Sequence, residues 1–333
     1  MQKNPYQLPF RPRRLRANEA LRAMVRDTHL RVEQLIQPIF VKTGSNKKDA
    51  IASMPGIYQF TLDKLAEEIT ELQKVGIQQV ILFGIPAYKD DEGSASWQDD
   101  GIVQQAINVI KEIVPEMTVI ADCCFCEYTS HGHCGVIGEH NGIKDVDNDK
   151  TLVLLAKQAV SLAKAGADII APSGAIDGMV LAIREALDEL GFQQLPIMSY
   201  TAKYASHFYG PFRDAADGAP QFGDRKTYQA DFANSHLALR EAALDIEEGA
   251  DFLMVKPAMP YLDIIYKLKQ HYPEMPMVAY QVSGEYAMIK AAAQNGWLDE
   301  TKVMLEALIA IKRAGADVII TYFAKDVAIS LGQ

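Results

Sequence analysis

Apolar residues along this chain recur in two rhythms that alternate from one end to the other. Segments such as Leu62–Val75, Thr151–Ala165, Asn234–Glu248 and Thr301–Ala314 carry them at three- and four-residue spacing, which predicts amphipathic helices. Between and around these segments lie apolar runs too short for helices. They are Pro38–Val41, Gln79–Phe83, Thr118–Ala121, Ile169–Pro172, Pro196–Tyr200, Phe252–Val255, Met277–Tyr280 and Val318–Thr321, and each reads as a buried strand. Four helix-to-strand junctions share one motif: Gly76-Ile77-Gln78, Gly166-Ala167-Asp168, Gly249-Ala250-Asp251 and Gly315-Ala316-Asp317. The glycine suits the left-handed position that ends a helix. Eight strands alternating with helices predict an α/β protein, a (β/α)8 TIM barrel over residues 35–333 with an extended N-terminal arm at 1–34. A doubly wound open sheet is the alternative that the same alternation allows.

Composition narrows the partners. The 333 residues are 49% hydrophobic, enough for a large core, and the formal net charge is −10. That balance argues against nucleic acid or an anionic membrane as the main partner. No uncharged apolar run approaches 18 residues and the N-terminus is charged, so a cytoplasmic protein is expected, or an organellar one after loss of a transit peptide. Arg11, Arg13, Arg14, Arg16, Arg22, Arg26 and Arg31 run against the acidic total. They read either as a solvated basic segment or as an arm that docks on an acidic neighbouring subunit.

In a barrel, chemistry gathers at the C-terminal ends of the strands. Those ends deliver Asp122 and Cys124, Ser173, Lys203, Lys256, Ser283 and Tyr322 to one mouth. All four cysteines lie between Cys123 and Cys134. Strand alternation puts Asp122, Cys124 and Cys126 in one phase and Cys123 in the other. Cys124, Cys126 and Cys134 then form a three-thiolate set, which leaves a tetrahedral zinc ion one open position. A closed structural site completed by His131 or His133, and a redox pair, remain open readings. Lys203 and Lys256 follow apolar runs, where burial beside another cation lowers an amine's pKa and frees it to attack a ketone. Two such lysines in one mouth suggest two carbonyl substrates held at once. The long connection from His207 to Asp231 reads as a lid, and its Arg213, Arg225 and Lys226 suit a substrate carboxylate.

These motifs resemble one family closely. The Asp-x-Cys-x-Cys-x-Tyr-Thr-Ser-His-Gly-His-Cys-Gly run from Asp122 to Gly135, Ser199-Tyr200-Thr201-Ala202-Lys203-Tyr204 and Phe208–Asp214 all match the delta-aminolevulinic acid dehydratase (porphobilinogen synthase) family. So do Gly223–Lys226, Met254–Pro257 and Gln281–Tyr286, and the likeness runs from about Phe10 to Leu331. The resemblance implies condensation of two 5-aminolevulinate molecules to porphobilinogen with loss of two waters. It implies a Schiff base on Lys256 for the propionate-side substrate, whose carboxylate Ser283 and Tyr322 would hold. A second Schiff base on Lys203 would take the acetate-side substrate, with Arg213 and Arg225 on its carboxylate. Cys124, Cys126 and Cys134 match the zinc-dependent branch, Asp122 is placed to assist proton transfers, and Glu241 matches the position of an allosteric Mg²⁺. A homo-octamer with arms wrapped round neighbours is also implied. One stretch departs: family members typically read Ala-Pro-Ser-Asp-Met-Met-Asp-Gly-Arg where this chain has Ala171-Pro172-Ser173-Gly174-Ala175-Ile176-Asp177-Gly178-Met179. The expectation is a missing acid and guanidinium at the barrel mouth. Another class I aldolase-type lyase and a degenerate, non-catalytic zinc-binding barrel are the competing readings.

Overall fold

Eight parallel strands form where the short apolar runs stand: β1 Leu35–Lys42, β2 Gln79–Ile85, β3 Thr118–Cys123, β4 Ile169–Pro172, β5 Met198–Lys203, β6 Phe252–Lys256, β7 Met277–Gln281 and β8 Val318–Thr321. The computed structural model describes residues 8–140 and 142–332. Hydrogen-bonded neighbours run β4-β3-β2-β1-β8-β7-β6-β5. A parallel bridge between Ile170 and Ile197 brings β4 against β5, so the sheet closes on itself as a barrel and the open-sheet alternative falls. The strands match the expected runs or extend them at their ends, β5 starting and ending later than the run Pro196–Tyr200.

The outer layer comprises α1 Leu62–Lys74, α2 Ile102–Ile113, α3 Asn148–Lys164, α4 Met179–Glu189, α5 Leu237–Glu247, α6 Leu262–His271, α7 Ser283–Gln294, α8 Glu300–Ala314 and α9 Ala324–Ser330. Each turns an apolar stripe inward; in α1 it is Leu65, Ile69 and Leu72, all fully buried. The glycine of the recurring junction is left-handed at Gly76, Gly166, Gly249 and Gly315, as a helix C-terminus requires. The aspartate has a second use. Asp168, Asp251 and Asp317 accept the backbone N–H of Val119, Ile197 and Met277, at 2.7, 2.8 and 2.7 Å. Each carboxylate thereby satisfies a donor near the bottom of an adjoining strand, pinning it where a buried N–H would otherwise lack a partner.

Three features differ from expectation. Two antiparallel hairpins, Lys48–Ala50 with Tyr58–Phe60 and Ile137–His140 with Ile143–Val146, interrupt the strand–helix alternation. Their strands are too short to carry a periodic signal. The lid contains a short helix, Gly210–Ala216. The arm is not simply extended: Pro12–Arg16 form a 3₁₀ turn and Glu19–Met24 a helix capped by Asn18, while residues 1–7 lie outside the described residues. Among the described residues no helix is long and apolar enough to cross a membrane.

Candidate active site

β5 and β6 set the two lysines. Leu253 pairs with Ser199, but Val255 pairs with Ala202 and Lys256 with Lys203, so β5 accommodates one extra residue. This bulge reverses the side-chain phase. Tyr200 and Lys203, three positions apart, therefore both face the barrel mouth, and Lys203 stands beside Lys256. The two amines line a cavity of about 440 Å³ together with Asp122, Cys126, Glu127, Ser173, Arg213, Arg225, Ser283 and Tyr322.

The Lys256 ammonium sits among rings, 4.3 Å from the centroid of Tyr280, 5.0 Å from Tyr200 and 5.3 Å from Phe212. Burial, reinforced by the charge on Lys203, pulls its pKa down to about 7. Lys203 behaves differently from the expectation that both lysines are depressed. Burial pushes it down, but the sulfurs of Cys134, Cys124 and Cys126 outweigh burial and hold it above the ordinary lysine value. Its Nζ donates to the carbonyl of Ser173, whose Oγ donates to Asp122 Oδ2 at 3.0 Å. Asp122 is raised to about 7, by burial first and by neighbouring Glu127 next. Its other oxygen is buried without a close hydrogen-bond partner, the Tyr200 hydroxyl being its nearby polar neighbour.

The cysteines divide as strand phase requires. Cys123 points into α3, its Sγ 3.3 Å from Gln158 Oε1. The sulfurs of Cys124, Cys126 and Cys134 lie within 4.8 Å of one another, all three residues being buried. Cys134 is pulled well below the ordinary thiol value by hydrogen bonds from the other two thiols, with Arg225 and Lys203 adding to the effect. Three converging soft donors fit zinc. Both histidines are otherwise committed: His133 pairs with Tyr228 Oη and the Phe222 carbonyl, each at 3.0 Å, and His131 with the Asp91 carbonyl and the His133 N–H. The fourth position of the thiolate set is therefore not filled by either ring.

The lid lies on this mouth. Arg225, buried, donates through Nη2 to the carbonyls of Gly132 and Gly218 at 2.7 and 2.6 Å, and the N–H of Gln221 meets the His131 carbonyl at 2.9 Å. Phe212 N–H donates to Ser283 Oγ at 3.0 Å, and Tyr280 and Tyr322 share a hydroxyl contact of 3.1 Å. The Nε groups of Arg213 and Arg225 are buried without partners, which suits an incoming carboxylate. Lys226, by contrast, is exposed and pairs with Asp224 at 3.1 Å, away from the cavity.

Glu241 lies elsewhere. It is half-buried on α5 beside a second cavity of about 1,110 Å³, whose lining includes Asp177, Arg240, Asp245, Glu248 and Lys203. Burial and then Asp245 raise it to about 6, but these carboxylates do not converge on one point as the sulfurs do. The departing stretch also belongs to this cavity. Ala175, Ile176, Asp177, Gly178 and Met179 line it, whereas Gly174 follows Ser173 of the barrel mouth and a Cβ there would stand 3.6 Å from the Cys134 carbonyl. Sequence reasoning passed over the aromatic walls, Phe83, Tyr209, Phe212 and Tyr280, and also Glu127. The only available signal was their place inside motifs already singled out for other residues.

The family model described as Delta-aminolevulinic acid dehydratase matches residues 9–330. The delta-aminolevulinic acid dehydratase of Synechococcus elongatus is 57% identical over 320 residues, covering 96% of this chain and 97% of its own. That of Bacillus subtilis is 58% identical over 318 residues, covering 96% and 97%. The crystal structure of the Toxoplasma gondii ME49 delta-aminolevulinic acid dehydratase (porphobilinogen synthase), in complex with its reaction product porphobilinogen, superposes with a TM-score of 0.94 at 44% identity over 97% of this chain and 92% of that one.

The lid contact yields a prediction. Gly132 has φ +70, and a Cβ there would stand 2.3 Å from the Ala219 carbonyl. The left-handed backbone costs a substituted residue roughly 1–2 kcal/mol, and the clash lies against backbone, so the lid must move. Gly132→Ala should lower the melting temperature and speed proteolysis between residues 216 and 230. Unchanged proteolysis would show that the lid does not depend on this approach.

Proposed function

The chain belongs to the delta-aminolevulinic acid dehydratase family, and from that premise we propose how its own residues divide the reaction. The enzyme condenses two molecules of 5-aminolevulinate into porphobilinogen with loss of two waters. The assignment of roles rests on one observation above the others, the pairing of Lys203 with Lys256 across β5 and β6.

Lys256, with its pKa near 7, is the amine with the larger neutral fraction near physiological pH, and its attack on the ketone of the first, propionate-side substrate expels one water. Ser283 and Tyr322, beside that amine, hold the first carboxylate. Lys203 forms the second imine, with the acetate-side substrate, expelling the other water. Arg213 and Arg225, whose Nε groups want acceptors, bind its carboxylate from the lid. A C–C bond then joins C3 of the second substrate to C4 of the first. A C–N bond joins the amine of the first to C4 of the second. The two lysines leave as these bonds close the ring, and Asp122 takes and returns the protons. The aromatic walls exclude water, which would hydrolyse the imines.

The family is metal-dependent in general, and for this chain we assign zinc to Cys124, Cys126 and Cys134. A zinc ion there would supply positive charge next to Lys203 and a Lewis acid for the second ketone. Asp122 and Ser173 keep the Lys203 amine oriented towards the same cavity. For the regulatory Mg²⁺ implied by the family likeness, Glu241 offers hard oxygen ligands beside Asp245 and Asp177. The arm, rich in arginine on an acidic chain, fits assembly into a homo-oligomer, the octamer being the family's form. We place the enzyme in the cytoplasm.

Trapping tests the lysines. Borohydride with 5-aminolevulinate should tag Lys256 predominantly, because its imine waits for the second substrate. Lys203→Ala should retain that tag while making no porphobilinogen, and Lys256→Ala should lose both tag and turnover. With the amine's pKa near 7, the neutral form grows as pH rises, so the initial tagging rate should climb roughly tenfold from pH 6 to 8 and then level off. No adduct on an active preparation would sink the covalent assignment.

The thiolate set is tested by zinc content. Cys124→Ser should lose bound zinc and activity, whereas Cys123→Ser, altering a sulfur that faces α3, should leave both nearly unchanged. Equal losses would overturn the division by strand phase. Deleting residues 1–16 should yield smaller particles by light scattering; an unchanged mass would remove the arm from assembly.

A further inference from the structure

Glu285 is fully buried and lines no part of the reaction cavity, yet its carboxylate joins the two backbone segments that carry the first substrate's groups. It stands in the first turn of α7, where a glutamate ordinarily takes one N–H at the start of its own helix. That bond is present: the Val282 N–H donates to Oε2 at 2.6 Å. Two more bonds cross to a different strand. From the turn that leaves β6, the Met259 N–H donates to Oε1 at 2.6 Å and the Ala258 N–H to Oε2 at 3.3 Å. A cap that served α7 alone would not need them.

Val282 immediately precedes Ser283, and Ala258 stands two positions beyond Lys256. The carboxylate therefore ties backbone beside the hydroxyl proposed for the substrate carboxylate to backbone beside the amine proposed for its ketone. Lys256 is held from the other direction as well. Its carbonyl accepts the Tyr204 N–H at 3.0 Å and the Tyr209 hydroxyl at 3.2 Å. Fastened to β5 and the lid on one side and to Glu285 on the other, the Lys256 peptide has little room to shift relative to Ser283. A substrate bound at both ends requires that separation to be set, because a misplacement of about 1 Å is enough to slow a positioned reaction severely.

We propose that Glu285 is a positioning residue that fixes the separation of Lys256 and Ser283, and so makes the first site selective for 4-oxo acids over homologues one methylene longer. The inference rests on the reading of Lys256 as the first imine-forming lysine and of Ser283 as its carboxylate-binding partner.

Levulinate, a 4-oxo acid, and 5-oxohexanoate, one methylene longer, read this separation. In a Lys203→Ala background, borohydride trapping on Lys256 is measured against the concentration of each acid, with and without Glu285→Gln. The amide keeps the size of the side chain but turns a donor towards backbone N–H groups. It should raise the half-saturating concentration of levulinate about tenfold, or ~1.4 kcal/mol, and move that of 5-oxohexanoate by less than twofold. Equal weakening of both acids would mean that Glu285 supports the fold without setting the separation. No change in either would mean that the two segments hold without it. Both results overturn the proposal. Levulinate trapping on Lys203, in a Lys256→Ala background, should move by less than twofold, and a shift as large as that on Lys256 also overturns it. Glu285→Asp keeps the charge but is too short to reach both segments, and should act in the same direction as Glu285→Gln. If neither variant folds, Glu285 serves the fold alone and the proposal falls. Absence of any Lys256 adduct with Glu285 intact would instead count against the lysine assignment. Competition against porphobilinogen formation then decides the role of Glu285: Glu285→Gln should cut the preference for levulinate over 5-oxohexanoate about tenfold, and an unchanged preference would overturn the proposal.

Discussion

Two amines placed side by side in a cavity walled by aromatic rings cannot both carry full charge without compensation, and the rest of the site is arranged around that constraint. Lys256, surrounded by Tyr200, Tyr280 and Phe212, gives way and its pKa falls to about 7. Lys203 stays charged because the sulfurs of Cys124, Cys126 and Cys134 and the Ser173 carbonyl stand against it. One lysine is thus ready as a nucleophile while the other depends on what happens at the sulfurs. The two amines thus differ in basicity although the residue type is the same at both positions. The remaining charges, Asp122 and Glu127 on one side and Arg213 and Arg225 on the other, fit the polar ends of the molecules that enter.

The scaffold serves this arrangement through repetition. A glycine closes each of four helices and, in three cases, an aspartate two residues later receives a buried N–H of a neighbouring strand. These contacts sit at the bottom of the barrel, where they hold strand positions without occupying the mouth. The mouth is left for side chains whose electrostatics would destabilise a protein that used them only for packing. The lid adds a second fastening. Arg225 joins Gly132, in the turn between Cys126 and Cys134, to Gly218 through two carbonyls, so the turn that carries the sulfurs and the lid are fastened to each other.

The departure from the family pattern at Gly174 and Met179 illustrates how position decides consequence. Met179 is buried at the start of α4, and Ala175 takes a left-handed conformation at φ 56. These residues border the cavity shared by Glu241 and Asp245, and the reaction cavity retains every residue assigned to chemistry. Gly174, by contrast, lies against the Cys134 carbonyl, so the departing stretch reaches from the thiolate turn to the acidic face of α5.

The sequence by itself determined the fold class, the order of strands and helices, the residues at the strand ends and the separation of Cys123 from the other cysteines. All of these follow from local periodicity, since side chains alternate along a strand and recur every 3.6 residues in a helix. The tertiary structure alone decided what depends on pairing between distant segments. The extra residue in β5, which turns Lys203 inward, exists only in the register with β6. The upward shift of Lys203 needs sulfurs from a loop some seventy positions away, and the partners of the His133 ring, Tyr228 and Phe222, come from the lid folding back on it. The hairpins and the burial of Glu127 in the reaction cavity were hidden for the same reason. Burial and charge are properties of neighbours in space, and a chain read in order supplies only neighbours in sequence.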